Sequence, residues 1–258
     1  MPHRPRRRFG QNFLVDDALI EAIIESVNPR QGECVVEIGP GLGALTRPLI
    51  ERLGHLHVVE IDRDLAHSLR AEFATGRLTV HEYDALNFDF AGLGSGLRVV
   101  GNLPYNISTP ILFHLAKSAP AIRDLHVMLQ REVVERMVAR PSSSEYGRLS
   151  VMIQYQFELE PLMTIPGSAF RPAPKVESAF LRMKPFARLP HPARNEVRFR
   201  HIVTAAFSRR RKTLRNALKG YLSADDFNRL GIDASRRPQD LAVSEFVRLA
   251  DCADNPRS

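Results

Sequence analysis

Cysteine is nearly absent: two residues in 258, Cys34 and Cys252, lie far apart and without C-x-x-C spacing. That argues against a disulfide framework or a cysteine zinc site and fits a reducing cytoplasm. No apolar run approaches the roughly 20 residues that cross a bilayer, so no membrane span is expected. The arginine-rich start, with Arg4, Arg6, Arg7 and Arg8, lacks the amphipathic length of a transit peptide and runs at once into a patterned segment. It reads as a basic arm. The nine histidines supply one close pair, His55 and His57, at alternate positions leading into a strand, which is not a metal-ligand pattern, and no metal is expected. Net charge is scarce over most of the chain: residues 1–190 hold 22 Lys+Arg against 21 Asp+Glu.

What is present is a globular chain, 44% hydrophobic and long enough for one large or two unequal domains. Its positive charge sits in the C-terminal quarter, where residues 191–258 hold 14 Lys+Arg against 8 Asp+Glu. Basic patches at both edges of a nearly neutral body suggest a polyanion as partner, and nucleic acid is the commonest one. The run Arg209, Arg210, Arg211 and Lys212 is the candidate contact with phosphates; a solvated charged face is the alternative.

Apolar spacing predicts a helix over 18–27, broken by Asn28-Pro29-Arg30-Gln31-Gly32. Short apolar runs at 34–38, 57–62, 78–80, 97–101 and 126–129 then alternate with helical patterns at 44–53, 65–73, 110–117 and 131–138. Such alternation predicts an α/β fold, a parallel sheet with right-handed crossovers and helices on both faces. Segments 154–160 and 178–183 read as a hairpin at the sheet edge. The proline-rich stretch Lys184-Pro185 to Pro190-His191-Pro192 marks a linker, giving domains at 1–188 and 189–258. The second is expected to be a small helical RNA-binding module with helices over 197–207, 212–219, 225–230 and 241–249.

The first strand ends in Gly39-Pro40-Gly41-Leu42-Gly43, and Glu60 at the end of the next lies 21 positions past Gly39. That spacing suits a carboxylate on ribose hydroxyls, and so far fits NAD as well. Two features tilt away from a dinucleotide: Glu37 precedes the first glycine by two positions, and the glycines follow G-x-G-x-G rather than the G-x-G-x-x-G that seats a pyrophosphate. An adenosine cofactor without phosphates needs only the close backbone approach that glycine permits. S-adenosyl-L-methionine has that shape. Asp84, after the third strand, then accepts the adenine amino group; a turn-initiating Asp is the other reading.

After the fourth strand comes Asn102-Leu103-Pro104-Tyr105, an amide, a turn and an aromatic ring. Alone, such a tetrapeptide is an ordinary turn. Beside an adenosine site it suits a protein that holds a flat nitrogen base by its exocyclic amine and presses a ring on its face.

Six segments carry a resemblance across nearly the whole chain. They are Arg8-Phe9-Gly10-Gln11-Asn12-Phe13-Leu14, the glycine loop, Val59-Glu60-Ile61-Asp62, the Asn102 tetrad, Gln130-Arg131-Glu132-Val133, and Phe170-Arg171-Pro172-Ala173-Pro174-Lys175-Val176. With Ala206-Phe207-Ser208 and the basic run, the sequence resembles the small-subunit (16S) ribosomal RNA adenine N6,N6-dimethyltransferases of the KsgA type. The resemblance implies a Rossmann-like methyltransferase sheet and dimethylation of two adjacent adenosines near the 3′ end of small-subunit RNA, with S-adenosylmethionine as donor. It further implies that Asn12 and Leu14 cover the donor, Gly39 and Gly41 approach it, Glu60 takes the ribose, Ile61 packs on adenine, and Asp84 binds its amino group. Asn102 borders donor and target.

The Asn102 side-chain oxygen and the Leu103 carbonyl are expected to accept the two N6 hydrogens, with Tyr105 stacked on one face of the base and Phe170 on the other. Pro48, inside the helix after the glycine loop, is expected to bend it. The implied partners are small-subunit rRNA and the pre-ribosomal small subunit, met by a monomer in the cytoplasm without membrane contact. Two alternatives share these motifs: a large-subunit RNA dimethyltransferase of the antibiotic-resistance type, and an assembly factor that acts mainly by binding.

Overall fold

A computed structural model describes residues 11–208 and 211–253. The basic arm before Gln11 and the pair Arg209 and Arg210 lie outside the described residues. Within them the chain divides into two compact units, residues 11–134 with 158–185 and residues 135–157 with 186–253.

The first unit begins with a short strand, β1 (Phe13–Leu14), and a helix, α1 (Asp17–Val27). The Asp16 side chain caps that helix by accepting from the Leu19 N–H, and Asn28 ends it in a left-handed conformation, φ 48°. Then β2 (Val35–Ile38), α2 (Thr46–Leu53), β3 (Leu56–Glu60), α3 (Arg63–Glu72), β4 (Leu78–Glu82), β5 (Leu97–Asn102), α4 (Ser108–Lys117) and β6 (Ile122–Gln130) alternate as the apolar runs require. Helix α5 (Arg131–Val138) follows, then α6 (Arg148–Gln154), β7 (Phe157–Ile165), β8 (Phe170–Arg171) and β9 (Ser178–Pro185).

Seven strands form one sheet in the order β4-β3-β2-β5-β6-β9-β7, and β1 pairs with β8 separately. Strands β2 to β6 are parallel; β9 runs antiparallel to β6. Every residue of β2 is buried, as are the first five of β5, which requires both faces of the sheet to be covered. From β2 the chain winds outward to β3 and β4, then crosses back to β5 and β6 on the other side. Strand order therefore reverses between β2 and β5, and the crevice outside the carboxyl ends of those two strands is where such sheets bind ligands.

Two expectations are corrected. Gln154 closes a helix rather than opening a strand, and β7 starts at Phe157; β9 and β7 do lie side by side at the edge of the sheet beyond β6, joined through β8 rather than by a tight turn. Pro48 is the third residue of α2, in the first turn, where its missing N–H has no intrahelical partner to lose. A kink has no cause there.

The second unit is helical, with α7 (Glu196–Ser208), α8 (Leu214–Ala217), α9 (Ala224–Leu230) and α10 (Val243–Cys252) besides α6. Phe199, Ile202, Val203, Leu214, Phe246 and Leu249 fill its core. Residues 212–219 give only the short α8, because Thr213 starts it in extended conformation and Leu218 leaves helical geometry. The Ser223 hydroxyl and the Asp226 carboxylate form a reciprocal capping box on α9.

Candidate active site

A cavity of about 330 Å³ opens at the strand-order reversal, lined by the ends of β2, β3, β4 and β5 and by the segment 11–14. Its chemistry follows from how each strand end is held.

At the end of β2 the backbone turns through Gly39 and Gly41, both at positive φ, 67° and 57°. A Cβ on Gly41 would stand 3.0 Å from the Phe13 ring, and one on Gly39 would stand 3.6 Å from the Asn102 carbonyl oxygen. These glycines keep the loop open to a ligand and close to its neighbours.

Two carboxyl groups face the same space. Glu37, 2% exposed, accepts a 2.6 Å hydrogen bond from the Thr46 hydroxyl. Burial pushes its carboxyl up to about 8, against the pull of that hydrogen bond, with the nearby Glu60 charge adding to the rise. Glu60, 5% exposed, accepts from the Asp62 N–H at 2.9 Å and the Gly41 N–H at 3.3 Å. Burial raises it as well, and those two amides offset part of the rise. The two amides leave its orientation fixed.

Asp84 is half-buried and already works in its own turn, accepting from the Leu86 N–H at 2.9 Å and the Asn87 amide at 3.2 Å. The turn reading holds, and the same residue also lines the cavity. Ile61 and Tyr83, 47% and 52% exposed, form an apolar lip beside it.

Asn102 ends β5, and its side-chain N–H donates to the Asn12 backbone carbonyl at 3.0 Å. The amide is thereby oriented, with its oxygen left as a free acceptor. The Leu103 N–H donates to the Met128 carbonyl on β6, fixing the peptide that follows. Tyr105 lines the cavity, and its hydroxyl lies 2.6 Å from that of Ser178 on β9. The segment 11–14 is pinned by β1–β8 pairing and by the Gln11 amide donating to Asp62 at 3.2 Å.

Asn12, Leu14, Gly39, Gly41, Glu60, Ile61, Asp84, Asn102, Leu103 and Tyr105 thus line one cavity. Phe170 does not. It is 2% exposed, pairs through β8 with Leu14, and packs into the apolar core with Ile23, Met128 and Phe180, where no face is open for a base. Arg211 and Lys212 are exposed in the turn after α7, in the other unit. Sequence reasoning missed Phe13, the tie from Asn12 to Asn102, and Tyr83. Phe13 had a signal in the segment that carried the resemblance; the Asn12 contact uses a backbone oxygen and had none.

The sequence model of the ribosomal RNA adenine dimethylase family matches residues 2–255. The chain belongs to that family. It is 56% identical over 258 residues, all of both chains, to the ribosomal RNA small subunit methyltransferase A of Nitrosospira multiformis. It is 57% identical over 250 residues, 97% of this chain and 98% of the other, to the protein of the same name in Methylobacillus flagellatus. Among solved structures, a dimethyladenosine transferase from Plasmodium falciparum matches the fold with TM-score 0.79 over 92% of this chain and 95% of that one, at 24% identity. The 23S rRNA methyltransferase ErmE matches with TM-score 0.72 over 95% and 100%, at 26% identity. This member of the family is an S-adenosylmethionine-dependent methyltransferase on an α/β sheet of that type.

The cavity fits the donor. Two acids whose charges are held back by burial favour a cationic ligand, the glycine loop clears room for it, and the apolar lip of Ile61 and Tyr83 suits a purine. Among the described residues no group of three or more His, Cys, Asp or Glu could hold a metal, and no helix is long and apolar enough to cross a membrane.

Proposed function

We propose that this chain dimethylates N6 of two adjacent adenosines near the 3′ end of small-subunit (16S) ribosomal RNA, acting as a cytoplasmic monomer on the pre-ribosomal small subunit. The observation that carries the reading is the oriented Asn102 amide, whose free oxygen meets the cavity next to the carboxyl groups of the donor site.

S-adenosylmethionine supplies a methyl already activated on a sulfonium. The protein's task is therefore placement. Glu60, held by two backbone amides, accepts from the ribose hydroxyls; Asp84 accepts from the adenine amino group; Ile61 packs on the purine; Asn12 and Leu14 cover the donor, with Gly39 and Gly41 giving it backbone clearance. On the target side, the amine lone pair is delocalised into the ring and is a poor nucleophile while the nitrogen is planar. Acceptance of its hydrogens by the Asn102 side-chain oxygen and the Leu103 carbonyl favours a pyramidal nitrogen with its lone pair aimed at the methyl. Tyr105 stacks on the flipped base, a contact of roughly 1–3 kcal/mol. The proton released at N6 passes to solvent, because neither Asn102 nor Tyr105 offers a base.

Small-subunit RNA is favoured over large-subunit RNA by the relatives. Identity is 56% over the full length to a small-subunit methyltransferase and 26% to ErmE. Tritiated methyl transfer measured in parallel on unmethylated small subunits, large subunits and free RNA tests the reading. Label is expected in small-subunit RNA; label in large-subunit RNA alone overturns it.

A further inference from the structure

Ser178 is a polar residue where packing asks for none. It opens β9 opposite Gln130 of β6, its neighbours Ala179, Phe180 and Leu181 are buried, and its own exposure is 0%. A buried hydroxyl without a partner is unfavourable, and an alanine would fill the position at no such cost. The partner of this hydroxyl is that of Tyr105, 2.6 Å away.

The bond reaches a long way through the fold. Tyr105 follows β5, and Ser178 lies on β9, with β6 between them in the sheet. Tyr105 sits in a single short turn of helix, Tyr105–Ile107, whose backbone alone does not fix the ring. A ring anchored by its backbone at one end and by its hydroxyl at the other cannot swing out of the cavity, so one plane is presented continuously.

We propose that Ser178 is a positioning residue for target recognition: its hydroxyl holds that of Tyr105 and so fixes the ring plane on which the substrate purine stacks. The proposal rests on the reading of Tyr105 as the base-stacking ring. With its hydroxyl committed to Ser178, Tyr105 meets the base through its face and offers it no hydrogen bond. Burial raises the Tyr105 phenol above its ordinary value, which keeps it a neutral hydroxyl across the physiological range. The tether acts on the RNA side of the reaction, since the donor contacts are made by other strand ends.

The test uses the full chain, unmethylated small subunits, and four variants: Ser178→Ala, Tyr105→Phe, the double variant, and Ser178→Thr. Ser178→Ala and Tyr105→Phe each raise KM for the RNA substrate about five- to tenfold, the loss of one hydrogen bond, and leave KM for S-adenosylmethionine unchanged. The double variant matches the singles because both remove one interaction, and Ser178→Thr, which keeps the hydroxyl, restores KM for RNA. Multiplicative losses in the double variant overturn the proposal, as do equal changes in both KM values or a lowered melting temperature with unchanged kinetics. Should Ser178→Ala not fold, Tyr105→Phe reads the same bond from the cavity side, and an unchanged KM for RNA there overturns it too. Wild-type protein in the same assay separates the two readings: absence of label in small subunits is a failure of the proposed function, whereas normal wild-type transfer with unaffected variants is a failure of the tether alone.

Discussion

Asn102 concentrates the chemistry in one amide. One of its two N–H groups is held by the Asn12 carbonyl, which orients the amide and leaves its oxygen as an acceptor. In the proposed mechanism Asn102→Ala removes an acceptor from the reacting nitrogen, and single-turnover methyl transfer is expected to fall by about a hundredfold or more, as for other preorganised hydrogen bonds at a reacting centre. Binding of pre-ribosomal particles, measured by sedimentation, is expected to persist, because the proposed phosphate contacts Arg211 and Lys212 belong to the other unit. Glu37 gives a second residue-scale outcome through pH. Its folded-state value, about 8, lies above the ordinary carboxylate value of 4.5. The stability it contributes is therefore fully present below the unfolded value and is lost as pH rises through the folded one. Glu37→Gln, always neutral, keeps that contribution, so its melting temperature rises relative to wild type between pH 5 and pH 9. Both proteins lose stability on the acid side, since burial holds His57 and His126 at about 4, below their ordinary 6.5. Melting curves across this range check both slopes; parallel curves for the two proteins on the alkaline side refute the Glu37 assignment.

At the scale of elements, the sheet has a functional end and a structural end. Asn102 lies at the carboxyl end of β5 and Arg98 near its start. Arg98, 4% exposed, donates to both Asp124 oxygens at 2.8 and 3.1 Å, to Glu33 at 2.8 Å and to the Val27 carbonyl at 2.7 Å. It thereby ties the end of α1 to β5 and β6. Arg98→Ala removes both hydrogen bonds from the buried Asp124 carboxylate and leaves it only the distant Arg182 guanidinium at 4.0 Å, and urea unfolding is expected to show a loss of about 3–5 kcal/mol. The folded fraction keeps its kcat, because the cavity is at the opposite end of the strands. The same elements show what a sequence discloses. Strands β2, β3, β5 and β6 were legible because a strand buried on both faces must be a continuous apolar run, whereas β4, half-buried at the sheet edge, showed only the short run 78–80. The clustering of Gly39, Glu60, Asp84 and Asn102 was legible because each follows such a run, and parallel strands end on one side. The β1–β8 pair was not, since two-residue strands have no periodicity, and their pairing is what turns Phe170 into the core beneath Leu14. An aromatic residue in a loop-like motif carries no mark that tells a stacking ring from a core ring. Ser178 was silent for a related reason: a lone serine at the start of a strand gains meaning only from the hydroxyl opposite it.

For the whole molecule the deciding quantity is where the charge lies. Residues 1–190 hold 22 basic against 21 acidic residues, so the body that builds the cavity attracts a polyanion weakly, whereas residues 191–258 hold 14 against 8. Arg211 and Lys212 are exposed in the turn after α7, and Arg209 and Arg210 adjoin them in sequence. Contacts of this kind bind phosphates and fix register without reading bases. Each phosphate neutralised releases condensed counterions, so log affinity falls with log salt by roughly 0.7–0.9 per phosphate. Replacing Arg209, Arg210, Arg211 and Lys212 together by Gln is expected to weaken RNA binding most at low salt and to flatten the salt slope by roughly one for each phosphate no longer neutralised. Saturating RNA then restores wild-type kcat, because Asn102, Glu60 and Tyr105 belong to the other unit and are untouched. Titrations of small-subunit RNA at several salt concentrations, with kcat measured at saturation, separate the two contributions. An unchanged slope places the phosphate contacts on other basic residues, and a lowered kcat at saturation means that this run helps to deliver the base and does more than hold the strand.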